Sequence, residues 1–93
     1  MIISFADKET EKIYYQVYSR QFPRDIQKIA LRKLIMIDNA LDINDLRVPP
    51  GNRLEKLSRD REGQYSIRIN DQFRICFKYS NGDYENVEIV DYH

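Results

Sequence analysis

The chain of 93 residues has one cysteine, Cys76, and one histidine, His93. It therefore has neither an internal disulfide nor a multi-cysteine zinc site. It has no tryptophan, only three glycines and three prolines, and no net charge. A neutral chain is not a bulk basic nucleic-acid binder. No apolar run approaches the roughly 18 residues that span a bilayer. The start, Met-Ile-Ile-Ser-Phe-Ala-Asp, has no basic n-region and reads as no signal peptide, which fits a cytoplasmic protein with no membrane partner. What is present is ordinary for a folded protein: 42% hydrophobic and 32% charged residues, enough for one core and too few positions for two. Residues 1–93 are expected to form one domain.

The zero net charge hides a segregation. Residues 47–78 carry Arg47, Arg53, Lys56, Arg59, Arg61, Arg68, Arg74 and Lys78 against Glu55, Asp60, Glu62 and Asp71, while 79–93 carry Asp83, Glu85, Glu88 and Asp91 with no Lys or Arg. A basic central segment in a neutral chain builds a local positive field, to which a phosphate backbone responds. The plain alternative is a solvated surface with scattered salt bridges.

Residues 2–5 read as a short strand. Asp7 is a plausible N-cap for a helix over about 8–18, with Ile13/Val17 and Tyr14/Tyr18 as i,i+4 pairs. The strongest periodic signal covers 24–42. Ile26, Ile29, Ala30, Leu34, Ile37 and Leu41 recur at helical steps, and Leu31, Ile35 and Met36 widen the stripe, so much of this helix should be core. Val48-Pro49-Pro50-Gly51-Asn52 is a loop, since two prolines and a glycine interrupt any amide ladder. Arg53–Leu57 is a weak strand candidate. In Gln64–Ile69 and Gln72–Tyr79 apolar and polar residues alternate strictly, the period of a strand. Asn81-Gly82 predicts a hairpin turn into a last strand over about 84–91. The order β-α-α-β-β-β-β gives an α+β fold with two helices packed on one face of a mainly antiparallel sheet. The helices should cover Phe73, Ile75 and Phe77. The opposite face would then present Arg68, Arg74 and Lys78 as an open row of cations, with Arg74 pointing off the core and cheap to remove.

Several chemistries lack their residues. One His and one Cys seventeen residues apart make no metal ligand set. Pro49-Pro50-Gly51-Asn52 has neither the spacing nor the Lys of a phosphate loop. A strand cysteine such as Cys76 is mostly a small packing residue. No cofactor is indicated. The end of the chain, Asp91-Tyr92-His93, is different. A titrating imidazole, a phenol and a carboxylate beside arginines from neighbouring strands could cleave RNA without a metal: one group takes the 2′-hydroxyl proton, a cation stabilises the phosphate, an acid protonates the leaving oxygen. The bland reading is a frayed terminus.

Three stretches carry a resemblance: Pro49-Pro50-Gly51-Asn52-Arg53-Leu54-Glu55, Ser66 through Phe77, and Val87-Glu88-Ile89-Val90-Asp91-Tyr92-His93. In this order and at this length the chain resembles the HigB toxins of the RelE/ParE superfamily. The resemblance implies a toxin of a type II toxin–antitoxin system, a ribosome-dependent mRNA endonuclease that cuts codons in the 30S A site without a metal. It implies a catalytic group of Arg74, Asp91, Tyr92, His93 and Glu55, and RNA contacts from Arg53, Lys56, Arg59, Arg61, Arg68 and Lys78. The expected partners are the ribosome, its mRNA and a HigA-type helix-turn-helix antitoxin, which would make most of any DNA contact. Glu55 stands where some of these toxins have a second catalytic His, and Ser58 replaces a nearby Lys. A gyrase-poisoning role of the ParE kind on the same fold, or a non-catalytic ribosome-binding role, are the alternatives.

Overall fold

The computed structural model describes residues 1–92. The two helices are α1 (Lys8–Tyr14) and α2 (Arg24–Asn39), and the strands are β1 (Glu55–Lys56), β2 (Gln64–Arg68), β3 (Phe73–Ser80) and β4 (Asp83–Asp91). None of the helices is long and apolar enough to cross a membrane.

Asp7 caps α1 as expected, its Oδ1 accepting from the Thr10 amide at 2.7 Å. The helix stops at Tyr14, short of the predicted 18, because Gln16 turns left-handed at φ 64°. The Val17 amide then donates to the Lys12 carbonyl and the Gln16 amide to that of Ile13, which satisfies the last turn in a Schellman motif. Val17 and Tyr18 leave the helix and stay exposed. Helix α2 buries Ile26, Ala30, Leu34 and Ile37 as its period requires. It ends at Asn39, three residues before the expected boundary. The Asp45 carboxylate accepts from the amides of Leu41 and Asp42 and starts a 3-10 turn over Ile43–Arg47. Leu41 is consequently 86% exposed, and Ile35 is also exposed; neither joins the core.

The four strands form an antiparallel meander in the order β1-β2-β3-β4. Asn81 and Gly82 both have positive φ, as a two-residue I′ hairpin turn demands. Residues 2–5 do not form a full strand. Only Ile2 and Phe5 bridge to β4, in parallel with Tyr84 and Val87. The Ile2 amide instead donates to Asp38 Oδ1 on α2 at 2.8 Å. In β4 a bulge centred on Asn86 (φ 53°) places two residues opposite Phe77. The extra residue shifts the alternation, so Tyr84 before it and Val87 and Ile89 after it are all buried. The bulge region is held from α1, where Thr10 Oγ1 accepts the buried Ile89 amide at 3.0 Å. Ile67, Ile69, Phe73, Ile75, Phe77, Tyr84, Val87 and Ile89 meet the helices in one core. Each such side chain contributes roughly 1.5–3 kcal/mol by leaving water.

The other sheet face departs from expectation. Ser66, Arg74 and Cys76 are buried there. The connection between β1 and β2 returns over this side: Leu57 is buried, and Arg61 is tied to Glu88 at 3.2 Å and to Gln64 at 3.1 Å. There is no open row of three cations.

Candidate active site

Arg74 occupies the middle of this covered face and is only 8% exposed. A buried guanidinium needs acceptors, and the fold supplies them. Its Nε donates to Ser66 Oγ at 2.8 Å, and its Nη2 donates to the Arg53 carbonyl at 2.6 Å. The Arg53 backbone is left-handed (φ 45°), at the end of the Pro50–Asn52 turn. Glu55 Oε1 lies 3.9 Å from Nη2 and the Tyr92 ring centroid 6.0 Å from Cζ. Nη1 bonds to none of the described residues. The expectation that Arg74 lies on an open surface and is cheap to remove is therefore corrected. Its strand alternation is right, but the chain at 53–55 comes back to cover it.

The β2–β3 register sets the surrounding charges. Arg68 stands directly opposite Arg74. The Ile69 amide donates to the Phe73 carbonyl, so Arg68 and Arg74 form the closer, non-hydrogen-bonded kind of pair. Like charges so placed repel. Arg68 is ion-paired with exposed Asp71 across the turn. Glu55, paired with Ser66 and 54% side-chain exposed, is the carboxylate ion-paired with Arg74 among the described residues. A third cation, Lys33 on α2, is also just 8% exposed and donates from Nζ to the Arg68 carbonyl at 2.5 Å. Burial first, and then the charges of Arg32, Arg68 and Arg74, push its ammonium below its ordinary pKa of 10.5. Sequence periodicity counts a lysine as surface, so Lys33 was not legible there.

The remaining expected residues separate. Asp91 pairs with Phe73 and accepts from Gln72 Nε2 at 3.1 Å, so it belongs to the helix-facing side of β4. Tyr92 lies on the Arg74 side. Of this pair, the fold brings the phenol to the guanidinium, while His93 lies outside the described residues. Lys56 alternates with Glu55 and faces away from Arg74, opposite Tyr65. Arg53 gives its backbone carbonyl to Arg74 while its side chain is exposed, and Arg59 is exposed in the same connection. Arg61 is committed to Glu88. Lys78 is exposed four positions along β3, roughly 13 Å from Arg74 at the usual rise. Cys76 is buried, and burial pushes its thiol up, so it is no thiolate nucleophile. Among the described residues no group of three or more His, Cys, Asp or Glu side chains is placed to hold a metal.

Arg74, Arg68, Glu55 and Tyr92 thus form a small polar centre on the sheet face away from the helices. It has a fixed fork with one nitrogen unbonded among the described residues, a second cation beside it, a carboxylate and a phenol. That set can hold a phosphate and move a proton next to it.

Residues 3–93 match the family described as RelE-like toxin of type II toxin-antitoxin system HigB. Toxin HigB-1 of Vibrio cholerae is 40% identical over 83 residues, covering 88% of this chain and 87% of its own. Endoribonuclease HigB of Proteus vulgaris is 34% identical over 94 residues, covering all of both chains. The fold matches YoeB in the YoeB–YefM complex from Staphylococcus aureus, with a TM-score of 0.62 at 24% identity over 100% of this chain and 95% of that one. It also matches YafQ from E. coli, with a TM-score of 0.60 at 12% identity over 98% and 91%. The α+β meander with two helices on one face is the fold of those toxins, and with family and relatives in agreement the chain belongs to the HigB toxins, RelE-like toxins of type II toxin–antitoxin systems.

Proposed function

We propose that this toxin, acting as one domain over 1–93 in the cytoplasm, is a metal-independent endoribonuclease that cleaves mRNA in the 30S A site and so stops translation. The observation that carries the reading is the held guanidinium of Arg74, with Nη1 unbonded among the described residues and Glu55 and Tyr92 at its sides. The Proteus vulgaris relative bears the name endoribonuclease. In this reading the ribose 2′-oxygen attacks the adjacent phosphorus as its proton passes to a base, either Glu55 or His93. Arg74, with Arg68 beside it, stabilises the extra negative charge on the phosphoryl oxygens. The P–O5′ bond breaks and the leaving oxygen takes a proton, leaving a 2′,3′-cyclic phosphate and a 5′-hydroxyl. Tyr92 orients the phosphate from the side, and Asp91 acts from the helix-facing side by holding the terminal segment. Arg53, Lys56, Arg59, Arg61 and Lys78 steer the RNA by their field. A HigA-type helix-turn-helix antitoxin is the partner that silences the toxin and supplies most of any DNA contact.

The test is induced expression without antitoxin, with RNA 5′ ends mapped across the transcriptome. Growth arrest with new 5′-hydroxyl ends inside translated frames is expected. Intact mRNA with accumulated double-strand DNA breaks would replace this reading with gyrase poisoning; arrest with neither would leave a non-catalytic ribosome binder.

A further inference from the structure

Lys33 is the buried charge that the cleavage chemistry above does not use. Its location follows from the shortness of β1. That strand spans two residues and pairs only with Ser66 and Tyr65. Two residues further on, the Arg68 peptide points away from β3, because it is Ile69 whose amide donates to the Phe73 carbonyl. Its carbonyl would face off the sheet edge, and Lys33 Nζ reaches it from the helix layer. A glutamine, serine or water could satisfy a carbonyl at far lower cost than a buried ammonium. The ammonium, moreover, sits where positive charge is already concentrated, with Arg32, Arg68 and Arg74 all repelling it. Among the described residues, the acids ion-paired with this cluster, Asp71 on Arg68 and Glu55 at 3.9 Å from Arg74, are exposed. Folding alone gains little from three cations around one strand end; an arriving anion gains from all of them.

We propose that Lys33 is a positioning residue of the RNA site: it pins the β2 peptide that carries Arg68 and supplies a third positive charge behind the Arg68–Arg74 pair, so that the scissile phosphate meets a cluster held open for it. The inference rests on the reading of Arg74 as the phosphate-holding group.

The experiment measures kcat and KM for cleavage on mRNA-programmed ribosomes across a salt series, with thermal melts of the same proteins. Lys33→Met removes the charge while keeping length. The Arg68 carbonyl loses its donor while the repulsion leaves with the ammonium, so the two effects oppose each other in the melt. Cleavage is counted per folded molecule below the variant's Tm. Its KM should rise about fourfold at 0.15 M salt, with a log–log salt slope shallower by about 0.7, the value for one charge against a single strand. The loss falls on KM more than on kcat. Lys33→Arg, which keeps charge and donors, should restore both KM and slope. If Lys33→Met folds too poorly to assay, Lys33→Gln carries the same expectation. An unchanged KM and slope in the neutral variant, or a failure of Lys33→Arg to rescue, overturns the proposal. Arg74→Lys on the same ribosomes separates the two readings. Normal cleavage there defeats the assignment of Arg74 itself. Impaired cleavage there with normal Lys33→Met defeats only the lysine.

Discussion

Arg74→Ala tests whether one side chain both braces the sheet and holds the phosphate. Truncation removes the bond from Nε to Ser66 Oγ and the bond from Nη2 to the Arg53 carbonyl. Hydrogen bonds to charged groups contribute roughly 1.5–3 kcal/mol each. Ser66 is fully buried, so its hydroxyl is left without a replacement from water. Against this, the repulsion from Arg68 and Lys33 disappears. The 3.9 Å contact with exposed Glu55 adds at most about 1 kcal/mol. With the relieved repulsion taken to offset about half of these losses, a net loss of about 2–3 kcal/mol is expected. For a chain of this size 1 kcal/mol moves Tm by roughly 4–8 °C, so Tm should drop by about 8–24 °C. Cleavage on programmed ribosomes, counted per folded molecule below the new Tm, should also fall by roughly 10²-fold or more, the usual scale for losing a positioned transition-state donor. Melting by circular dichroism and single-turnover cleavage measure the two effects separately. A variant that melts within about 2 °C of the wild type refutes the bracing role. Normal cleavage per folded molecule refutes the phosphate role.

The proton-transfer groups are separated by two substitutions. If His93 moves the proton, His93→Gln should cut cleavage roughly 10²–10⁴-fold while Glu55→Gln stays active; the opposite pattern in the same rate assay assigns the proton to Glu55. Tyr92→Phe should keep ring contact with Arg74 and most of the activity, whereas Tyr92→Ala should lose it, as read by cleavage rate; equal loss in both would show that the hydroxyl, not the ring, matters. Because the Lys33 ammonium is less basic in the folded chain than its ordinary 10.5, the unfolded chain binds more protons just below that pH. Stability should therefore rise as pH climbs toward 10.5, and Lys33→Met should flatten this slope in alkaline chemical denaturation. Thr10→Val leaves the buried Ile89 amide without its acceptor and should cost about 1–3 kcal/mol in urea unfolding with cleavage per folded molecule preserved.

Much of the architecture was determined by neighbours along the chain. Alternation in 64–69 and 72–79 specified two strands and their core faces, the Asn81-Gly82 pair specified a tight hairpin, and the three- and four-residue steps from Ile26 to Ile37 specified α2, since each is a period imposed by local backbone geometry. The HigB resemblance was likewise legible from residue order, and it singled out Arg74, Glu55 and Tyr92. Element ends were less legible. No glycine marks Gln16 as left-handed, and the Asp45 carboxylate that ends the α2 region acts through amides outside the helix. The environment of the site was decided only in three dimensions. Nothing around position 74 says that the chain at 53–55 will return across it, turning an expected surface arginine into a buried brace. Nothing in a helical period distinguishes Lys33 from other lysines until a two-residue β1 leaves the Arg68 carbonyl at an open edge. The split between Asp91 and Tyr92 has the same origin. Adjacent residues in an extended segment point to opposite sides, and only the pairing of Asp91 with Phe73 tells which side is which. Periodicity is a property of short stretches of chain, whereas burial, charge pairing and register depend on segments distant in sequence meeting in space.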